Sequence, residues 1–526
     1  MNNQVKQVSP AEVEERAGAL ATNAQAIAAL ATAVEGTIGP KGLNCMLVDR
    51  LGDVTITNDG STILDKIDVS HPAARLLINA AKAQERQVGD GTTTATLLAA
   101  SLVREGVAHA LRGVPVARLL EGMTAGLEAA AQALRAQAVP VASLDDPLLR
   151  RAALIAGRED AELSQLALQA ARLVGMAKCR EHGFRLADLV VAQEGAQSEV
   201  FAGLIVDKQR MSRQMPALVR SARLLLVDDA LEPEELENDA LGTEAGFAKY
   251  LEYKEQFRQA LANIVALGVN VVMVERAVSD LAEEMLTEAG VMVLRRVSAL
   301  DLARLAEHTG ARPLKRTTLY RDPDRLRSCL GRARRVYQDQ LLEHVRVVGG
   351  RGRPAATILV GAATAQVRDE RQRIAQDAAW AVQQAIVGGV VAGGGAAELG
   401  ALAAVEKTRQ SLRGMAAFGV DCVQEALKRP ISQIIANAGF NPLEKVDLAI
   451  AANSRLPGRM GLDCDTGEVA DMLAAGVVDP ATVKVQALQT AGEVAQAILR
   501  INVIIRKREE SPAPGGQAQP GRTGPA

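Results

Sequence analysis

Apolar residues recur at helical spacing through residues 11–35: Leu20, Ala24, Ile27, Ala31 and Val34 fall on one face, and Gly36 ends the run. The pattern then changes. "GTIGPKG" (36–42) reads as a turn, and "CMLVD" (45–49) and "VTITND" (54–59) flank "RLGD" as the arms of a β-hairpin. "STILDKI" and "PAARLLINAAKAQERQV" return to helical spacing, with Pro72 suited to a first turn. A further helix is predicted from the threonines Thr92–Thr94 to about Arg112.

From residue 224 the runs shorten. "LLLVDD" (224–229), "VNVVMVE" (269–275), "VMVLRRV" (291–297) and "TILVG" (357–361) are brief apolar stretches. Helical segments such as "SDLAEEMLTEAG" and "SALDLARLAEHTG" separate them and stop at Gly290 and Gly310. This alternation predicts an α/β unit. After its first strand comes "LEPEELENDALGTEAGFAKYLEYKEQF" (231–257), acidic at first and then helical, with Phe247, Tyr250, Leu251 and Phe257. It reads either as a solvated helix on its own domain or as a protruding arm with an apolar tip. Ala-rich helical texture returns after residue 365, and the final "EESPAPGGQAQPGRTGPA" reads as disordered. The two chain ends share a texture, which predicts one domain built from both, with the α/β unit inserted.

Composition narrows the class. A length of 526 residues exceeds one core and predicts three or four domains at about 100–200 residues each. Aromatics make up 2%, so Ala, Val, Leu and Ile must build the core and no base-stacking surface is expected. A net charge of −2 provides no basic field for nucleic acid. Cys45, Cys179, Cys329, Cys422 and Cys464 form no CxxC pair and read as reduced thiols. There is no HExxH for zinc, no apolar signal core at the N-terminus and no uninterrupted apolar run of about 18 residues. A cytoplasmic protein is expected.

The chemistry concentrates in "VGDGTTTATLLA" (88–99). Three β-branched threonines start a helix poorly, and glycines on both sides of Asp90 cost backbone entropy. A helix N-terminus with unpaired N–H groups, flexible Gly89 and Gly91, and the hydroxyls of Thr92, Thr93 and Thr94 suits phosphate oxygens. Asp90 would repel that anion unless a cation lay between them, which points to Mg²⁺. A plain capped helix with an Asp/Thr turn would show the same residues. "TIGPKG" offers a second glycine turn, and "TNDG" sets Asp59 at a strand end. No GxxxxGK[ST] occurs, and no GxGxxG opens a helix after a strand, so neither a Walker loop nor a Rossmann site is indicated. In "RIAQDAAWAVQQAI" Asp377 lies on or beside the stripe of Ile374, Ala378, Ala381, Val382 and Ala385. It stands either at the edge of a packed face or aimed at a site, where it could orient or deprotonate water.

These stretches together resemble a chaperonin over nearly the whole chain. "TIGPKGLNCMLVDRLGDVTITNDGSTIL", "HPAARLL" and "VGDGTTTATLLA" are similar to the equatorial domain of the archaeal thermosome and the eukaryotic cytosolic chaperonin. "GLIVDK" followed by "MP", with "NVVMVE" and "LRRV", resembles their apical region, and "GVVDPATVKVQALQTAGEVAQAILRI" their C-terminal equatorial segment. The resemblance implies a ring-forming, ATP-driven protein-folding machine with a multi-domain α+β/α subunit. It implies a mostly helical equatorial domain (1–142 and 397–508) and a small α/β intermediate domain (143–210 and 362–396). An α/β apical domain (211–361) carries a helical protrusion at about 231–260, and a disordered tail (509–526) follows. By the same resemblance Thr37, Ile38, Gly39 and Pro40 line the nucleotide phosphates, Asp90 holds Mg²⁺, and Gly91, Thr92, Thr93 and Thr94 contact phosphate. Gly394 and Asp479 lie by the nucleoside, and Asp59 and Asp377 act on the attacking water, Asp377 arriving when the intermediate domain swings down. The resemblance further implies non-native client proteins as partners, enclosed in stacked homo-oligomeric, eightfold rings under a built-in lid, with no separate lid protein, nucleic acid or membrane.

Some stretches depart from the archaeal pattern. "VVAGGGAAEL" is closer to the detachable-lid bacterial type. "LIAGREDAELSQLAL" (154–168) is shorter than the archaeal nucleotide-sensing loop and lacks its Thr-Ser pattern, which leaves Arg158 as a candidate for the place of its lysine and the sensing residue unassigned, and the tail lacks Gly-Gly-Met repeats. The mixture resembles the bacterial chaperonins of archaeal type, often called group III. Two other readings are weaker. A metabolic enzyme acting through the central α/β unit would not place its phosphate-type turns outside that unit. A non-hydrolysing scaffold would not need Asp59, Asp90 and Asp377 together.

Overall fold

The computed structural model describes residues 12–14, 16–49, 52, 54–234, 243–320, 323–501 and 504–506. Three packed units are nested along the chain. The outermost takes helices from both ends: Arg16–Glu35, Pro72–Val88, Thr92–Leu111 and Val116–Ala136 pack with Ala396–Ser411, Ala417–Asn437 and Ala481–Leu499. Leu102, Met123, Leu134, Val423 and Ile498 are fully buried there, each such side chain contributing about 1.5–3 kcal/mol. With so few aromatics, the helices must approach closely. A Cβ on Gly122 would fall 1.7 Å from the Ala416 carbonyl oxygen, and one on Gly419 would fall 2.0 Å from that of Leu119.

Inside this unit sits a smaller one. Its three-stranded sheet pairs Thr357–Ala362 parallel with Val190–Glu194 and antiparallel with Glu199–Phe201. Helices Pro147–Ala156, Ala161–Val174 and Ala365–Gly388 cover it. The innermost unit is a six-stranded sheet in the order Gly203–Val206, Val345–Gly350, Gly331–Gln338, Leu218–Val227, Val271–Val274, Met292–Leu294. The last three strands are parallel, as strand–helix–strand alternation requires, and the rest antiparallel. Along Leu218–Val227, Leu224 and Leu226 join the core under helix Ala299–Thr309. Leu225 and Val227 join the core under helices Glu244–Ala266 and Asp280–Glu288.

The structure differs from the sequence reading in several places. The first helix starts at Arg16, because Glu12–Glu14 is a strand paired with Ile504–Arg506, a partner that local periodicity does not reveal. Thr357–Ala362 leaves the six-stranded sheet for the three-stranded one, because its parallel partner is Val190–Glu194. Helix Glu244–Ala266 is anchored by fully buried Phe257 and Leu261, while Phe247 and Leu251 are 55% and 49% exposed. Residues 235–242 of the arm, Arg50, Leu51 and Asp53 of the hairpin turn, and the tail lie outside the described residues. Residues Ala17–Glu35 are long and apolar enough, by length and composition, to cross a membrane. Their apolar face is nonetheless packed: Leu20, Ile27, Leu30 and Val34 are buried in the helical core.

Candidate functional site

A cleft of about 250 Å³ lies where the outer helical unit meets the small unit. Its wall is formed by Thr37, Ile38 and Gly39, by Asn58, Asp59 and Gly60, by Asp90 through Thr94, and by Ile155, Ala156, Arg158 and Asp377. The Thr37–Gly39 turn follows the first helix and is fixed from a distance. Asn437 donates Nδ2 hydrogen bonds of 2.9 Å to the carbonyls of Glu35 and Ile38, and Gly39 holds φ 87. Pro40 is exposed and does not line the cleft.

Helix Thr92–Leu111 opens on the cleft. Its N-cap is Gly91, at φ 84, with no side chain capping the first turn, so the N–H groups of the threonines remain available. Asp90 Oδ1 accepts the Gly91 N–H at 2.5 Å. The glycines serve protein packing as well as the cleft. A Cβ on Gly89 would lie 2.0 Å from Trp380 Cγ, one on Gly91 2.8 Å from Val483 Cγ1, and one on Gly60 2.1 Å from Thr93 Oγ1. Gly89 itself is therefore required by Trp380, on the Ala365–Gly388 helix, rather than by a ligand. Gly89→Ala should thus separate that helix from the turn, seen as increased Trp380 fluorescence exposure, because φ 73 and the ring collision act together.

Asp59 N-caps helix Gly60–Lys66. Its Oδ2 accepts from Thr62 N–H at 2.9 Å, Thr62 Oγ1 at 2.6 Å and Ser61 Oγ at 2.7 Å, and faces Arg373 Nη1 at 3.4 Å. With Oδ2 saturated, Oδ1 is the oxygen left for the cleft. Burial would raise the Asp59 carboxyl, but the Thr62 bond, the Arg373 guanidinium and the Ser61 bond outweigh it and hold it below the usual range.

Asp377 enters from the Ala365–Gly388 helix, whose buried face is Ala375, Ala378, Ala379 and Val382. It lines the cleft with Asp59 and Asp90. Enclosure, then Asp90 and Asp59, push its carboxyl well above the ordinary range, against Arg373. Asp90 is raised by enclosure and by Asp479 and Asp59, while the Gly91 N–H and Lys484 oppose the shift. Glu85 is pushed up to about 8 by burial, then Asp59 and Asp90. Mutually repelling carboxylates beside free N–H donors favour a hard cation and an anion together. Among the described residues no three His, Cys, Asp or Glu side chains form a metal cage. The donor set suits a hard cation that takes one carboxylate and fills its other positions with oxygens from elsewhere. Asn58 Oδ1, on the same wall, has no hydrogen-bond partner among the described residues.

Gly394 and Asp479 stand outside the cleft lining: Asp479 lies in strand Val478–Pro480, facing Val391 of strand Val390–Ala392, and Gly394 lies in the turn that follows Ala392, at φ 63. Asp479 Oδ2 binds Lys484 Nζ at 2.8 Å, and Lys484 also reaches Glu398 Oε1 at 3.0 Å. Sequence reasoning missed Lys484, Glu398, Glu85 and Arg373. Arg373 had a signal: it is one helical turn before Asp377, on the same face. Its guanidinium also binds Glu370 at 2.7 and 2.8 Å, and Glu370 takes Arg158 Nη1 at 2.8 Å, so Arg158 lines the cleft from φ 52.

Residues 30–509 match the TCP-1/cpn60 chaperonin family. A thermosome subunit of Pyrococcus abyssi is 33% identical over 510 residues, covering 93% of this chain and 92% of its own. Thermosome subunit beta of Archaeoglobus fulgidus is 35% identical, over 95% and 94%. A crystal structure of a group III chaperonin in the open state superposes with a TM-score of 0.85 at 45% identity, covering 94% of this chain and all of the other.

Proposed function

The chain belongs to the TCP-1/cpn60 chaperonin family, and from that premise we propose that it hydrolyses ATP to drive the folding of client proteins inside a ring with a built-in lid. A chaperonin acts on other proteins, and the finer reading rests on one observation: Asp59, Asp90 and Asp377 converge on a single cleft with the open first turn of helix Thr92–Leu111. In this reading the N–H groups and hydroxyls of Thr92–Thr94 and the Thr37–Gly39 turn bind the phosphates, and Asp90 would hold Mg²⁺, which supplies charge neutralisation. Asp59 Oδ1 and Asp377 orient the attacking water and accept its proton. Gly394 and Asp479 receive the nucleoside. Residues 1–142 with 397–508, 143–210 with 362–396, and 211–361 are the equatorial, intermediate and apical domains. The exposed Phe247 end of helix Glu244–Ala266 is the lid tip. The assembly is stacked, eightfold, homo-oligomeric and cytoplasmic.

Electron microscopy with and without Mg²⁺-ATP, beside a phosphate-release assay, tests this. Stacked rings that close over at their ends with nucleotide are expected. A monomer unchanged by nucleotide would sink the folding-chamber reading.

Arg373 gives a sharper test of the site. Arg373→Ala should lower kcat by roughly tenfold, about 1.4 kcal/mol of barrier, with KM little changed, because it acts through Asp59 rather than on nucleotide. Arg373→Lys should recover part of the loss. An unchanged kcat would remove Arg373 from the site.

A further inference from the structure

The six-stranded sheet is unevenly covered. On one face, helices Glu244–Ala266 and Asp280–Glu288 cover only the parallel strands, and that core takes no side chain from Gly331–Gln338 or Val345–Gly350. Toward Val345–Gly350 that half is closed by buried Val348 and by Arg346, which is buried between Glu199 and Asp339; its exposed remainder is arginine. Val219, Ala222, Ala333, Val336 and Val347 turn into the opposite core, so Arg220, Arg332 and Arg335 project away from it. A kink at Ser221 (φ 50) and Gly349 (φ 71) re-phases the strands and keeps both rows outward.

The rows place like charges side by side. Arg220 stands opposite Arg335, and Arg223 opposite Arg332. The Arg351 N–H donates to the Arg332 carbonyl at 3.0 Å, adding a third arginine to that row. Such cross-strand pairs destabilise a sheet. None of these arginines has an acidic partner among the described residues. Arg335 rests over the Tyr337 ring at 5.2 Å and Arg223 donates to the Leu267 carbonyl, neither of which cancels charge.

The complement lies at the far edge of the same sheet. Helix Asp280–Glu288 carries Asp280, Glu283, Glu284 and Glu288 in 9 residues, with no Lys or Arg. None of the four has a basic partner among the described residues. It packs beside Val271–Val274 and Met292–Leu294, at the opposite end of the strand order from Val345–Gly350.

We propose that the arginine face of one copy docks on the acidic helix Asp280–Glu288 of the next. The contact joins two different patches, so it repeats from copy to copy, and it serves a ring where its rotation closes. It rests on the ring assembly proposed above and adds which surfaces meet.

The test uses the full chain with Cys45→Ser, Cys329→Ser and Cys464→Ser, carrying Arg335→Cys and Glu284→Cys and cross-linked with a short bismaleimide. A ladder of linked subunits on a denaturing gel is expected, absent from the serine background and from either single cysteine variant of it. It should fade between about 0.1 M and 1 M salt, as the screening length falls from about 10 Å to about 3 Å. Adding Arg220→Glu and Arg332→Glu should abolish the ladder, and further adding Glu283→Arg and Glu288→Arg should restore it. Assembled rings without a ladder overturn this contact and leave the ring reading intact. A monomer overturns both. A reversed variant that keeps its ladder but no longer captures an acidic unfolded protein assigns the face to clients and overturns the proposal.

Discussion

Asp377→Ala is expected to bind nucleotide about as tightly as the wild type and to turn it over about 10²–10⁴-fold more slowly, the range for loss of a positioned acid–base group. Two features argue for this split. Asp377 lines the cleft from the smaller unit, while the phosphate-type donors, Thr37–Gly39 and Thr92–Thr94, all belong to the helical unit. Deleting the carboxylate therefore leaves the binding donors in place. It also removes a carboxyl whose ionisation burial, Asp90 and Asp59 already oppose, so no group that attracts an anion is lost. The pH dependence has a definite sign. Asp59 is held low and stays ionised, whereas Asp377 is held high. A base works only when ionised, so wild-type turnover should fall on acidification at a higher pH than Asp59 alone would allow. Single-turnover phosphate release with a parallel binding titration checks both claims. Normal hydrolysis by Asp377→Ala would end its assignment.

Lys484→Met is expected to destabilise the helical unit by about 3–5 kcal/mol per subunit, the usual result of stripping one partner from a buried ion pair. Lys484 is 9% exposed and Glu398 2% exposed. Lys484 is the cation shared by Glu398 and Asp479, and neither Glu398 oxygen has a hydrogen bond among the described residues. Burial works against the Lys484 charge, but the two carboxylates overcome it and push its pKa far up, so it stays protonated throughout. Without it, Glu398 is a buried charge with no counter-ion. Nucleotide affinity should fall as well, because Asp479 loses the group that fixes its orientation. A denaturation midpoint measured beside a binding titration separates the two effects. Lys484→Met with Glu398→Gln should regain most of the stability but not the affinity. A double variant as unstable as the single one would mean that packing, not charge, is what Lys484 supplies.

The sequence determined the features that depend on neighbours a few residues apart. The Pro72 helix start, the Cys45–Thr57 hairpin, the helix opening at Thr92 and the exposed aromatic end near Phe247 follow local propensity and period, and the structure has each of them. The motifs singled out Thr37–Gly39, Asp90 and Thr92–Thr94, which line one cleft, whereas Pro40 does not. Tertiary structure decided whatever required a distant partner. Glu12–Glu14 is a strand only because Ile504–Arg506 pairs with it, and Thr357–Ala362 belongs to its sheet because of Val190–Glu194. Gly89 is glycine because Trp380 occupies the space its Cβ would take. Asp59 stays ionised partly through Arg373, and Lys484 tolerates burial only between Glu398 and Asp479. Helical and strand periods reach only a few residues along the chain, whereas a buried charge is set by whichever groups the packed units bring within a few ångströms.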